Sequence, residues 1–363
     1  MKVAFFLGGL NRGGTESLIL DICRNKSLVP FEFVVLYRKE GNYSDAFRAT
    51  DATLIHLPKH GNILKYILNI RQCIAQNHID IIHSQTPSNS LLCVLAKIGL
   101  PVKLYTSFHG LSFSHANWLQ RKVVMKCSDR LVFVSQYIRD LYLQTNPWIQ
   151  RDKCEVVYDA LDFSKVAEKR ESGPMQPRLG MVGSFNYGRD HLFLCKALKE
   201  LNAQGIDFHF DFVGGKWASE PACYDDCVRY CNENGLADKV SFLGMRTDVY
   251  DIMQTWDGVV YSTKCDTFGI SILEAVAMGL PTLVNDWQVF REISNNGEFL
   301  RMWKTGDVED CVQAITRMIT DRPSVADCQH YASLVRSRFG IEKHIAKLNE
   351  IYGAVSREGK NEE

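Results

Sequence analysis

The stretch Ser262-Thr-Lys-Cys-Asp266-Thr-Phe268-Gly269-Ile270-Ser-Ile-Leu-Glu274-Ala-Val-Ala-Met-Gly279-Leu-Pro281 follows an apolar run, Gly258-Val-Val-Tyr-Ser262. The run reads as a buried strand that ends at a polar turn. A helix is expected to begin near Phe268 and to stop at Gly279-Leu-Pro281, where glycine and proline end helical geometry. Strand, turn and helix in that order form the repeating unit of a parallel α/β sheet. Two carboxylates stand eight positions apart, Asp266 ahead of the helix and Glu274 inside it. At ~1.5 Å per residue, helical spacing sets them about 12 Å apart. Between them lie the N–H groups and positive pole of a helix N-terminus, which attract an anion. A diphosphate fits there, with a hydroxyl-bearing group at each carboxylate. A nucleotide sugar has this layout.

Outward from this stretch, short β-branched or aromatic runs alternate with longer amphipathic ones. In the first half, strands are expected at Val3–Phe6, Phe31–Tyr37, Leu54–Leu57, Ile79–His83, Lys103–Ser107, Leu131–Ser135 and Glu155–Tyr158. Helices fall between them, among them Thr15–Cys23, Ile63–Gln76, Asn89–Lys97 and Gln136–Gln144. A second series has strands at Leu179–Val182, Phe208–Val213, Val240–Leu243, Gly258–Tyr261 and Thr282–Val284. Between the two series, Leu161–Pro177 carries Lys-Arg-Glu-Ser-Gly-Pro and reads as an exposed linker. The expected fold class is α/β, with two doubly wound, Rossmann-like parallel-sheet domains. They span residues 1–160 and 178–340, with the linker at 161–177. Residues 341–363 hold a C-terminal helix, Ile341–Tyr352, and a polar end from Ser356 that is expected to fray. In such sheets ligands bind beyond the carboxyl ends of the strands.

The chain has 363 residues, 46% hydrophobic and 23% charged, which suits a soluble globular protein of two domains. Net charge is zero but uneven: 22 Lys and Arg face 15 Asp and Glu through Pro177, and 20 face 27 after it. A basic half suits anionic lipid, nucleic acid or a phosphorylated substrate, or else two domains simply differ. No apolar run reaches the ~18 residues of a membrane span. The start, Met1-Lys-Val-Ala-Phe-Phe-Leu-Gly, is too short for a signal peptide and reads as a first strand. The expected location is cytoplasmic. Twelve cysteines show no C-x-x-C spacing. Cys223, Cys227 and Cys231 recur every fourth residue, along one helix face, where thiols pack as small hydrophobes; a metal site is the lesser alternative.

Several other groups sit where ligands gather. The first strand runs into Gly8-Gly9-Leu-Asn-Arg-Gly13-Gly14-Thr-Glu16, a turn whose backbone N–H groups can approach a phosphate. It lacks the G-x-G-x-x-G spacing, and Leu36-Tyr37-Arg38 closes the second strand without an acid, which argues against NAD. His83 ends one strand and His109-Gly110 follows another. Either is a packing residue or a donor to a sugar hydroxyl, and the glycine after His109 favours the second role there. Gly183-Ser184-Phe-Asn-Tyr-Gly188-Arg189-Asp190 opens the second series; Arg189 can grip phosphate oxygens with two parallel bonds, or lie at the surface. The backbone of Gly244-Met245-Arg246 can pair with a base edge. The basic stretch Trp118–Lys126 reads equally as a membrane-surface helix or as one packed on the sheet.

As a set, these residues resemble the retaining nucleotide-sugar glycosyltransferases of family 4. The resemblance rests on Gly13-Gly14-Thr-Glu16, His109-Gly110, Arg130-Leu-Val-Phe-Val-Ser135, Phe242-Leu-Gly244 and above all Asp266 to Pro281, which matches the family's E-x7-E segment in spacing. It implies a two-domain GT-B fold, the donor in the cleft between domains, and a C-terminal helix that crosses back to the first domain. It also implies roles. Gly14, after Gly13, approaches the donor phosphates, and His109 contacts the transferred sugar. Asp266 holds sugar hydroxyls and Glu274 ribose hydroxyls. Gly269 and Ile270, after Phe268, offer N–H groups, and Gly183, Ser184 and Arg189 form the second phosphate loop. Three departures stand out: Asp266 where the family has Glu, Ser184 where it has Arg, and Arg189-Asp190 where it has Lys-Gly.

The reading is a retaining transferase acting from a nucleoside diphosphate sugar on a glycan or lipid-linked acceptor, in surface polysaccharide synthesis. No cofactor or metal is implied and no nucleic-acid partner; peripheral membrane association fits the basic half. A non-hydrolysing nucleotide-sugar epimerase and a non-catalytic sugar-nucleotide binder remain the alternatives.

Overall fold

The computed structural model describes residues 1–59, 61–111, 113, 116–166 and 177–358. The chain divides into two compact units, Met1–Leu161 with Phe339–Glu363, and Asp162–Arg338.

In the first unit, β1 (Lys2–Leu7), α1 (Gly14–Arg24), β2 (Glu32–Tyr37), α2 (Ser44–Arg48), β3 (Thr53–His56), α3 (Ile63–Gln76) and β4 (Ile81–Ser84) alternate along the chain. They are followed by α4 (Pro87–Ala96), β5 (Lys103–Phe108), α5 (Trp118–Cys127), β6 (Arg130–Phe133), α6 (Gln136–Thr145) and β7 (Cys154–Val156). All strands pair in parallel, in the order β3-β2-β1-β4-β5-β6-β7. The period of two is visible in β1. Val3, Phe5 and Leu7 join a core layer with α1, while Ala4 and Phe6 join another with Tyr66, Ile70 and Cys93 from α3 and α4. A strand buried on both faces must be apolar throughout, which is why these runs do not alternate with polar residues.

In the second unit come β8 (Arg178–Val182), α7 (His191–Ala203), β9 (His209–Val213), α8 (Ala222–Glu233), β10 (Val240–Gly244), α9 (Val249–Gln254) and β11 (Gly258–Tyr261). Then follow α10 (Ile270–Ala277), β12 (Thr282–Asn285), α11 (Gln288–Ile293), β13 (Arg301–Trp303), α12 (Val308–Thr320) and α13 (Val325–Phe339). The parallel order is β10-β9-β8-β11-β12-β13. Strand order therefore reverses beside β8, and the turns after β8 and β11 open at the reversal, where an α/β sheet leaves a crevice. On α8, Cys227 and Cys231 are buried; among the described residues no group of His, Cys, Asp or Glu could hold a metal ion.

The last helix, α14 (Ile341–Glu358), belongs to the first unit and buries Ile345, Leu348 and Ile351 in the layer that holds α1. The helix continues past Tyr352, and residues 359–363 of the polar end lie outside the described residues. The linker reading needs correction at its start. Leu161 is buried and pairs with Gly340, Phe163–Lys165 form a 3-10 turn, and Arg336 donates to the carbonyls of Phe163 and Val166. Residues 167–176 of that stretch lie outside the described residues.

Candidate functional site

In the second unit, the site is built on the turns after β8 and β11. The helix of the opening stretch starts at Ile270, two residues after Phe268, because Gly269 adopts φ 96°, a left-handed conformation that breaks helical continuity. A Cβ at Gly269 would meet Phe290 at 3.0 Å and Ile272 at 3.1 Å, so the position excludes a side chain twice over. Asp266 thus lies outside the helix, in the turn between β11 and α10, and Glu274 inside it. Phe268 is buried beneath the turn. The N-terminus of α10 carries no side-chain cap, leaving its first N–H groups without an intrahelical partner.

Asp266 is 9% exposed, and both of its carboxylate oxygens accept hydrogen bonds. Oδ1 accepts from the Thr267 N–H at 2.8 Å, and Oδ2 from the Tyr261 hydroxyl at 2.6 Å. That hydroxyl in turn accepts from Arg189 Nε at 2.5 Å, and the guanidinium lies 5.8 Å from the centre of the Tyr261 ring. Burial pushes the Tyr261 hydroxyl well above its usual range, so it stays protonated and donates. Arg189, Tyr261 and Asp266 form one chain of charge-assisted hydrogen bonds. Gly183 makes room for it: a Cβ there would stand 2.8 Å from Arg189 Cδ. The neighbouring Asp190 is answered by Lys264, with Nζ 2.8 Å from its Oδ1. The extra anion in this loop is therefore paired. Ser184 is half-buried in the same loop.

Glu274 projects from α10, and its Oε1 accepts from the Tyr250 hydroxyl at 2.7 Å. The other glycine-ended strand, β10, closes at Gly244 with φ 66°. Met245 beyond it is 73% exposed, and Arg246 makes a two-pronged pair with Asp248 at 2.8 and 2.6 Å. Burial, then Arg189, hold His191 down to about 3, so it is a neutral ring stacked on Phe185.

In the first unit, Gly13 caps α1 and Gly14 is its first residue. The Glu16 carboxylate folds back over this turn, so close that a Cβ on Gly13 would lie 2.6 Å from it. Burial raises the Glu16 carboxyl, while its own backbone N–H and His109 pull the other way. His109 follows β5, with Nε2 3.0 Å from Gln85 Oε1 and Nδ1 3.3 Å from Asp159 Oδ1. Behind it, His83 is fully enclosed: Nδ1 meets the Tyr352 hydroxyl at 2.5 Å and Nε2 meets Ser107 Oγ at 2.7 Å. Burial lowers His83 to about 3, which makes it a neutral packing residue. Tyr261, Lys264, Tyr250 and Asp159 were not singled out by sequence reasoning. Tyr261 read only as strand, although its place next to the turn was a usable signal.

The family model described as Glycosyltransferase Family 4 matches residues 12–165, and the one described as Glycosyl transferases group 1 matches residues 176–321. The chain belongs to glycosyltransferase family 4. Among the relatives of this glycosyltransferase, EpsF of Bacillus subtilis (strain 168) is 26% identical over 310 residues, 78% of this chain and 79% of its own length. The UDP-Gal:alpha-D-GlcNAc-diphosphoundecaprenol alpha-1,3-galactosyltransferase of Escherichia coli is 20% identical over 311 residues, 80% of this chain and 79% of that protein. Alr3699/HepE of Anabaena, solved in complex with UDP-glucose, matches with a TM-score of 0.84 at 17% identity, over 98% of this chain and 100% of that one. That likeness is one of fold, and the glycosyltransferase has the GT-B fold.

Proposed function

We propose that this glycosyltransferase moves a hexose-type unit, with retention of configuration, from a nucleoside diphosphate sugar to a hydroxyl of a glycan or lipid-linked acceptor in surface polysaccharide synthesis. The observation that carries the reading is the 266–274 segment: an uncapped helix N-terminus behind a left-handed Gly269, with a carboxylate on either side and the buried Arg189 chain beside it. Support also comes from what similar proteins are named for. HepE was solved with UDP and with UDP-glucose. WclY of Escherichia coli, 19% identical over 380 residues, is named an O-antigen biosynthesis glycosyltransferase.

In this reading Glu274 holds the ribose hydroxyls, and the backbone of Gly244, Met245 and Arg246 faces the base. Gly269 and Ile270 present N–H groups to the diphosphate. Asp266 addresses the sugar. Arg189 and the positive end of α10 stabilise the departing diphosphate, so the step calls for no metal. The acceptor oxygen bonds to the anomeric carbon on the face that the phosphate oxygen leaves, and the acceptor proton passes to that phosphate oxygen. Excluding water protects the donor from hydrolysis. The enzyme works in the cytoplasm, where activated sugars are the donor.

The test incubates the protein with a panel of nucleoside diphosphate hexoses and a lipid-linked sugar, and reads product anomeric configuration by NMR. Retention with release of nucleoside diphosphate is expected. Inversion overturns the retaining step, and conversion of the donor sugar without an acceptor points to an epimerase.

A further inference from the structure

The two turns that build the candidate site carry four charged residues between them: Arg189 and Asp190 after β8, Lys264 and Asp266 after β11. Their charges cancel, and Ser184 in the first turn adds none. Arg189 already shares its charge with Asp266 through the Tyr261 hydroxyl, and Lys264 Nζ lies 2.8 Å from Asp190 Oδ1. Cations beyond other strands of this sheet are matched as well: Lys216 with Asp225, Arg246 with Asp248 and Arg291 with Asp286. A diphosphate therefore meets turns with no cation to spare. Helix N-termini attract it, but a full counter-charge has to come from a pair that opens.

The two pairs of the site differ in how readily they open. Arg189 is joined to Asp266 through a phenol, and Tyr261 and Asp266 are both buried. Breaking that chain strands a buried carboxylate, which is costly. The Lys264 side chain is 63% exposed. An ion pair that reaches water holds weakly, since solvent screens it and ordering the side chains costs entropy. The root of Lys264 is fixed: its N–H donates to the Gly188 carbonyl at 2.8 Å, and Thr263 Oγ1 donates to the same carbonyl at 2.9 Å. The four-carbon stem beyond that root can swing while the turn stays in place.

Asp190 has a second place to go. It is the N-cap of α7, where an aspartate commonly accepts from the first N–H groups of its own helix. Here its side chain makes no capping bond and is turned to Lys264 instead. Losing Lys264 would leave it next to uncapped N–H groups, which stabilise a carboxylate.

From these observations we infer that Lys264 is a cation that binds the diphosphate of the donor, and that Asp190 is an internal stand-in for that anion, holding Lys264 in the free protein. Binding is an exchange of counter-ions: the diphosphate takes Lys264, and Asp190 turns to the N–H groups of α7. Arg189 keeps its joint with Tyr261 throughout. The identity of the ligand rests on the proposed function; the charge balance that the exchange explains does not.

Calorimetric titration of the full chain with UDP, GDP, ADP and dTDP tests it, the tightest of these being carried to the variants. Lys264→Ala should weaken that ligand about tenfold or more, the loss of one charge-assisted hydrogen bond. Lys264→Arg should restore most of the affinity. Asp190→Asn should act in the opposite sense and tighten binding about two- to fivefold, since the competitor for Lys264 is gone. A pair that serves the fold alone gives both variants the same sign, with lower melting temperatures and weaker binding. The inference is overturned if Lys264→Ala binds as the wild type does, or if Asp190→Asn fails to tighten binding. A wild type that binds none of the nucleotides overturns the proposed function together with the inference, whereas a wild type that binds one while both variants match it overturns the inference alone.

Discussion

The Tyr261 hydroxyl donates to Asp266 Oδ2 at 2.6 Å, and the same oxygen accepts from Arg189 Nε at 2.5 Å. One neutral phenol thereby joins a cation and an anion that belong to different strand-end turns. Replacing Tyr261 by Phe keeps the ring and removes the joint. A buried donor and a buried acceptor then lose their partner, at a cost of about 1–3 kcal/mol in stability. Turnover should fall by roughly 10–100-fold as Arg189 loses its anchor, with kcat affected more than KM. Urea unfolding and steady-state kinetics on the same preparation check both halves. Unchanged kcat would show that the phenol only fills space.

Gly269→Ala tests the left-handed turn. The substitution forces a Cβ into φ 96° and against Phe290 and Ile272. It should destabilise the protein by about 1–2 kcal/mol from the backbone alone. It should also weaken donor binding, since the N–H groups of α10 must shift. Denaturant midpoints and donor titration measure the two effects, and a fully active, equally stable variant would contradict the turn described.

Much of this was legible in the residues. The helix Ile63–Gln76 forms over the same residues as its apolar spacing indicated, because one repeating face covers the sheet. The strand Arg301–Trp303 was not visible: three residues are too few to show a period, and its pairing with β12 is a tertiary contact. Asp266 and Glu274 announced themselves by spacing, and the helix starts two residues after Phe268, since nothing local marks which conformation a glycine will adopt. The pairing of Asp190 with Lys264 joins residues 74 positions apart and is invisible to any local pattern. His83 was placed at a strand end correctly, but only the structure shows Tyr352 and Ser107 holding both of its nitrogens.

Acid sensitivity follows from the buried imidazoles. His83 and His191 are each held to about 3 in the folded protein, against about 6.5 when unfolded. Between these values the unfolded chain binds more protons, so stability is highest above pH ~6.5 and falls as pH drops towards 3. Each histidine contributes a slope of up to about 1.4 kcal/mol per pH unit. His191→Phe keeps the stack on Phe185 and removes one titrating group, so its unfolding midpoint should change less with pH than that of the wild type. Parallel slopes for the two proteins between pH 6 and 4 would refute the assignment of His191 as neutral.

The most direct test of the account is a thermal-shift panel of nucleoside diphosphate hexoses on the wild type and on Glu274→Ala. A ligand that binds only the folded state raises the melting temperature. The account predicts that at least one donor raises it for the wild type. The same concentration should leave the Glu274→Ala protein unmoved, although the two ligand-free proteins melt alike. A wild type indifferent to every donor, or a Glu274→Ala variant that responds as strongly, would contradict the claim that the 266–274 segment grips the activated sugar.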